Sequence, residues 1–275
     1  MKQFILNKEP DFSADGGIVR LDGSDYRYLV RVRRLAAGEF FPALLPNGKE
    51  TQIQILSVDN GVLIGKCICE ENNNLQDNAL PPIILFQALP KGEKMDLIVR
   101  QAAEGGITEI VPFVSGYSFA KAGKAGVRLS EQKFSRWERI IKEARQQSGS
   151  KIATTICRPL LMNEVFEHWK KLKGKADSAG SQALGLLLHH QGLAKESFHG
   201  YLSNSPNIVV LAIGPEGGFS DTEVSLFLEN GFKPLTVGDT ILRTETAALY
   251  FAAATRIILQ EKNSWELKQT KNRSV

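Results

Sequence analysis

From residue 83 onward, short unbroken apolar runs alternate with stretches of helical periodicity, and this alternation restricts the chain to a small set of folds. The runs are Ile83–Ala88, Thr108–Val114, Ile152–Cys157, Leu184–His189, Ile208–Ile213 and Pro234–Val237. The run Ile208–Ile213 reads IVVLAI and has no polar side to turn to water, as expected of a strand buried on both faces of a parallel sheet. Helices are predicted over Glu93–Ala103 and over Glu131–Gln147, the second with Phe134, Trp137, Ile140, Ile141 and Ala144 on one stripe. Strands and helices in alternation give an α/β domain with a mostly parallel sheet.

Residues upstream of this region follow another pattern. TQIQILSV and GVLIGKCICE alternate in the strand manner around Asp59-Asn60-Gly61, a hairpin signal, and imply a small β-rich domain. The polar, then Pro-rich stretch ENNNLQDNALPP suits a linker, so the domains are expected at 1–72 and 73–265, with a Lys-rich tail at 266–275. Within the first domain a short helix is predicted over Ser24–Leu35, with Tyr28, Leu29, Val32 and Leu35 facing a core. Arg27, Arg31, Arg33 and Arg34 then line its open face, either as a solvated surface or as a nucleic-acid contact. The basic, Gly-rich Lys121–Arg128 is a second candidate contact or a plain surface loop.

Composition excludes more than it selects. At 275 residues and 43% hydrophobic, the chain can bury real cores. No apolar run reaches the roughly 18 residues that suggest a bilayer span, and the N-terminus lacks a signal-peptide core, which gives a cytoplasmic expectation. Three cysteines, Cys67, Cys69 and Cys157, are too scattered for a disulfide framework or a Cys-rich zinc site, and Cys67 and Cys69 read as reduced thiols on one strand face. His189 and His190 are adjacent, so at a strand end they should point to opposite sides, and no metal is expected.

The motifs of greatest weight follow the last two strands. After Ile213 comes Gly214-Pro215-Glu216-Gly217-Gly218, in which glycines clear side chains where a ligand must touch backbone. Ser220-Asp221-Thr222-Glu223 then reads as a capping box opening a helix to about Asn230. A second loop, Gly238–Arg243, leads into a closing helix, Thr244–Gln260, with a face of Ala247, Ala248, Ala252, Ala253 and Ala254. No Gly-rich fingerprint follows Ile83–Ala88 and no Walker A loop occurs, so neither a Rossmann dinucleotide site nor an NTPase is indicated.

GPEGG followed by LRTETA (242–247) resembles the RsmE family, the 16S ribosomal RNA uridine-N3 methyltransferases of the SPOUT class. Leu89-Pro90-Lys91-Gly92-Glu93-Lys94-Met95, Glu104-Gly105-Gly106-Ile107 and Ile110-Val111-Pro112 are similar to further segments of that family, in the same order. The resemblance implies a trefoil-knotted α/β domain, a PUA-like N-terminal β-barrel, a homodimer, S-adenosylmethionine (SAM) as cofactor and 16S ribosomal RNA of the small subunit as partner. It places SAM among three loops, Leu188–Gly192, Ile213–Gly218 and Val237–Thr244. The cofactor-binding residues it implies are Leu188, His189, Ile213, Gly214, Pro215, Glu216, Gly217, Gly218, Val237, Gly238, Ile241, Leu242 and Thr244. It also favours RNA contact by Arg27, Arg31, Arg33 and Arg34.

The implied reaction needs donor and nucleophile held in line and a charged uracil accommodated. A guanidinium suits the planar acceptors of such a ring, which makes Arg243 the candidate catalytic residue; its other reading is a loop tie to a nearby carboxylate. Glu245, the second catalytic candidate, and Glu216 are proton acceptors or loop anchors, with anchoring favoured. The chain departs from the family where Gln3, Tyr117, Ser150 and Thr240 stand at usual Arg positions, Gln146 at a usual Glu and Gly105 at a usual Leu. A related enzyme with another RNA target, or a non-catalytic RNA-binding or assembly protein, would accommodate these departures.

Overall fold

Strand Phe4–Ile5 (β1) lies parallel to Phe40–Leu44 (β3) in a five-stranded mixed sheet completed by Ile18–Leu21 (β2), Glu50–Asp59 (β4) and Val62–Ile68 (β5), in the order β1-β3-β4-β5-β2. The computed structural model describes residues 4–11, 17–68, 80–118, 129–190, 193–236, 238 and 240–262. Gln3, Cys69, Lys121–Arg128, Gly192, Val237, most of the predicted linker and the 266–275 tail lie outside these. The chain divides into two compact units, residues 1–75 with 142–153, and residues 76–141 with 154–275.

In the first unit the Asp59-Asn60-Gly61 signal makes its hairpin. Asn60 and Gly61 adopt φ of 47° and 80°, the left-handed pair that matches strand twist in a tight β-turn. A bulge between Ile55 and Ser57 leaves Leu56 unpaired and turned to solvent, while Phe41, Ile53, Ile55, Leu63 and Cys67 close over the core with Phe4 and Leu29. Cys67 does not stand alone there: its Sγ lies 2.9 Å from Thr51 Oγ1.

The predicted helix over Ser24–Leu35 is not one regular helix. It is a single turn, Gly23–Tyr26 (α1), continued by a π-helical segment, Arg27–Val32, in which Arg33 N–H donates to Tyr28 carbonyl five residues back. The wider turn shifts the helical faces, so Leu29 is fully buried and Tyr28 and Leu35 pack on the core, but Val32 is 69% exposed instead of inward. Arg34, at φ 58°, ends the segment, and all four arginines remain exposed.

The second unit is built on six strands, Ile83–Ala88 (β6), Glu109–Phe113 (β7), Thr155–Ile156 (β8), Ala183–Leu188 (β9), Ile208–Ile213 (β10) and Lys233–Leu235 (β11). They pair in the order β11-β9-β10-β6-β7-β8, every pair parallel, so the expected α/β class and parallel sheet hold. β6 and β10 occupy the centre, where continuous apolar runs are required, and β6 is buried throughout. Helices Lys94–Glu104 (α2), Glu131–Ser148 (α3), Met162–Ser178 (α4), Phe198–Ser203 (α5), Asp221–Glu229 (α6) and Thr244–Lys262 (α7) complete the element order.

One aromatic cluster sets where the glycine loop can go. Phe227 of α6 meets Phe166, Phe219 and Phe232 at ring separations of 5.1, 5.2 and 5.0 Å, and Phe219 stacks on Phe113 at 6.2 Å. Phe219 directly follows Gly218, so its burial fastens one end of the loop to the core. Phe232 lies against Gly185 so closely that a Cβ there would sit 2.8 Å from the ring.

Candidate active site

The C-terminal ends of β9, β10 and β11, with the start of α7, enclose a cleft of about 710 Å³. Such a volume suits a small-molecule ligand. Leu188, His189, Ile213, Gly214, Pro215, Glu216, Gly217, Gly218, Gly238, Ile241, Leu242 and Thr244 line it, so the structure gathers every described member of the predicted cofactor set. Arg243 and Thr240, the latter at a usual Arg position of the family, line it too, as do Leu235, Thr236 and Phe251, which sequence reasoning did not single out.

The first loop is a turn closed by Gly218 N–H to Pro215 carbonyl at 2.9 Å, with Gly218 at φ 71°. A Cβ on Gly214 would lie 3.1 Å from the backbone carbon of Gly218, so a side chain there would force the loop to give by a few tenths of an ångström. Gly238 of the second loop, at φ 66°, also needs the left-handed region. The third wall is stitched to β11: His189 N–H donates to Leu235 carbonyl at 3.1 Å, and Thr236 Oγ1 to His189 carbonyl at 2.9 Å. The His189 and His190 rings do not diverge as expected. β9 ends at Leu188, before a pleat could separate them, and the rings lie 4.6 Å apart.

Two side-chain relays hold these segments in register. In the first, buried Gln87 of β6 donates through Nε2 to Thr244 Oγ1 at 3.0 Å, and Thr244 Oγ1 donates to Gly214 carbonyl at 2.6 Å. Thr244 therefore ties the start of α7 to the glycine loop. Gln87 was overlooked in the sequence, although a lone amide in the run IILFQA is itself a signal. In the second, Lys94 Nζ lies 2.8 Å from Glu216 Oε1 and 3.6 Å from Glu245 Oε2, while Glu216 also accepts Lys91 N–H at 3.1 and 3.3 Å.

The electrostatics follow from this relay. Burial pushes the Glu216 carboxyl up, but the Lys94 hydrogen bond, two backbone amides and the Lys94 charge outweigh it and hold the carboxyl below its ordinary value. The hydrogen bond to Glu216 raises Lys94, opposed by burial and aided by the Glu216 and Glu245 charges. Glu245 does not line the cleft; its carboxylate turns to Lys94. Arg243 is exposed, and its side chain has no hydrogen-bond or ion-pair partner among the described residues.

The capping box of α6 has a second use. Ser220 Oγ accepts Glu223 N–H, and the Glu223 carboxylate takes both the Ser220 N–H at 2.9 Å and the Gly116 N–H at 2.7 Å. The turn 115–118 is thereby fixed beside the first loop.

A family model for RNA methyltransferase domains matches residues 77–256. The ribosomal RNA small subunit methyltransferase E of Synechocystis sp. is 32% identical over 88% of this chain and 74% of that protein. The chain belongs to this family. The Bacillus subtilis member is 26% identical over 90% of this chain and 91% of its own length. The fold is also that of the Neisseria gonorrhoeae member solved bound to SAM, at TM-score 0.73 and 23% identity, covering 94% of this chain and 98% of that one.

Of the positions where the chain departs from the usual family residues, Gln3 lies outside the described residues and Ser150 donates its N–H to Ser148 Oγ at 3.2 Å. Thr240 lines the cleft, Tyr117 lies on Gly217, Gly105 receives Arg256 Nη1 at its carbonyl, and Gln146 is buried. Among the described residues no group of three or more His, Cys, Asp or Glu side chains could hold a metal ion, and no helix is long and apolar enough to cross a membrane.

Proposed function

We propose that the protein is a SAM-dependent methyltransferase that modifies N3 of a uridine in 16S ribosomal RNA of the small subunit, acting in the cytoplasm. The observation that carries this reading is the cleft formed by the GPEGG loop, the loop before α7 and the end of β9, in a chain of the methyltransferase E family. A cleft of nucleoside-plus-amino-acid size, with glycine backbone along one wall and Leu188, Ile213, Leu242 and Phe251 as its apolar part, fits SAM. Gly214, Gly217, Gly218 and Gly238 would present backbone, and Leu188, His189, Ile213, Pro215, Ile241, Leu242 and Thr244, with Val237, would complete the site. When bound, SAM supplies an activated methyl group.

The remaining work falls to this chain's own side chains. For N3 to accept a methyl group its ring proton must first be lost to solvent, and the negative charge this leaves on uracil spreads onto its two carbonyl oxygens until the N3–methyl bond forms. Arg243 would hydrogen-bond these oxygens; its position at the cleft, without a described carboxylate partner, supports that role. Glu216 and Glu245, through Lys94, keep the first loop and the start of α7 in place; this supports anchoring for both. Arg27, Arg31, Arg33 and Arg34 contact RNA backbone from the PUA-like β unit.

The same reading includes a knotted methyltransferase domain and a homodimer. Leu249, Tyr250 and Ile257 of α7 are exposed, and Ile241 beside the cleft is 81% exposed, an apolar set that a second copy would cover. Mass-spectrometric mapping of small-subunit RNA from cells with and without the gene tests the function: one 3-methyluridine should disappear in the deletion strain. If every 3-methyluridine persists, the function is wrong.

A further inference from the structure

We infer that Tyr117 is a base-stacking platform for the RNA substrate, holding an unpaired base at the rim of the cleft; this rests on the methyltransferase reading above. Tyr117 is 56% exposed, and its hydroxyl has no hydrogen-bond partner among the described residues, so neither core packing nor a polar tether accounts for it. It sits directly on the first loop. A Cβ on Gly217 would meet Tyr117 Cβ at 3.0 Å and Cγ at 3.3 Å, and Gly217 is both exposed and part of the cleft lining. Tyr117 does not itself line the cleft but stands immediately beside Gly217, which does.

The backbone beneath the ring is fixed from several sides. Ser118 N–H donates to Ser115 carbonyl at 3.0 Å, Ser115 N–H donates to Ser118 Oγ at 3.1 Å, and Gly116 N–H is held by buried Glu223. A rigidly carried, solvent-facing phenol next to a small-molecule cleft has the form used to bind single-stranded RNA: an unstacked base gains a π-face partner without base-specific hydrogen bonds. Ordering such a ring on binding costs little, because its backbone is already set.

Steady-state methylation of unmodified small ribosomal subunits, with SAM affinity measured separately by calorimetry, tests the assignment on the full-length protein. Tyr117→Ala should raise KM for the subunit about tenfold, the order expected for one lost base–aromatic stack, with SAM affinity unchanged. Tyr117→Phe and Tyr117→Trp should restore the KM, because the π-face and not the hydroxyl is used. An unchanged subunit KM in Tyr117→Ala overturns the stacking, as does a Phe or Trp variant that behaves like Ala. A fall in SAM affinity with unchanged KM makes Tyr117 a prop for Gly217 and equally overturns it. A wild-type protein that binds SAM but methylates no subunit RNA sinks the functional reading and the stacking together, a result distinct from the others.

Discussion

Arg243 and Thr244 are adjacent, yet their surroundings assign them opposite work. Thr244 is buried and hydrogen-bonded to both Gln87 and Gly214, so its hydroxyl is consumed in tying two segments together. Arg243 is exposed at the cleft with no described partner. A guanidinium with no hydrogen-bond or ion-pair partner among the described residues contributes little to folding, so Arg243→Ala should leave melting temperature and SAM affinity nearly unchanged. It should lower turnover by about 10²-fold, the magnitude of removing one charge-stabilising donor. Thermal melts, calorimetry and single-turnover assays on the same preparation separate these effects. A large drop in melting temperature with normal activity of the folded fraction would return Arg243 to the role of a loop tie.

At the level of elements, the site depends on contacts between loops and helix starts. Glu216 joins the glycine loop to the Lys91 amide and to Lys94 at the start of α2, and Lys94 reaches on to Glu245 in the first turn of α7. Because the folded state holds Glu216 below its ordinary value, its contribution is present above the unfolded glutamate value of about 4.3. It is lost as pH falls through the depressed folded value. Glu216→Gln should therefore destabilise the protein at neutral pH, and the difference from wild type should shrink progressively below about pH 4. Denaturant titrations of both proteins across that range check the sign; a constant difference down to strong acid would mean that charge is not what Glu216 supplies. Both side chains are partly exposed, so solvent screening keeps the effect modest.

For the whole molecule, two expectations concern association. The exposed apolar residues of α7 and Ile241 call for a covering surface, so analytical ultracentrifugation should find a dimer at working concentrations. An active monomer would remove that idea. RNA binding by the β unit should be electrostatic, since Arg27, Arg31, Arg33 and Arg34 are exposed and have no described carboxylate partner. Removing two of them should flatten the slope of log affinity against log salt by about one to two units. An unchanged slope would mean that the RNA backbone is gripped elsewhere.

What the sequence determined by itself is what short-range pattern encodes. The apolar runs specified a parallel sheet because strands buried on both faces are built almost wholly of apolar residues, and β10 has the very limits of its run, Ile208–Ile213. Ser220 and Glu223 marked a helix start, and Asn60-Gly61 a hairpin, because capping and left-handed turns are local chemistry. The loop motifs also collected the cleft residues. Tertiary structure alone decided the rest. The π-helical turn put Val32 in solvent, and residues 142–153 joined the β-rich unit although their helix begins in the other. The partners in the site relays lie far apart in sequence, Glu216 125 positions after Lys91 and Thr244 157 positions after Gln87. No periodicity reports a contact across such distances; the fold has to bring the two chemistries together before either residue acquires its role.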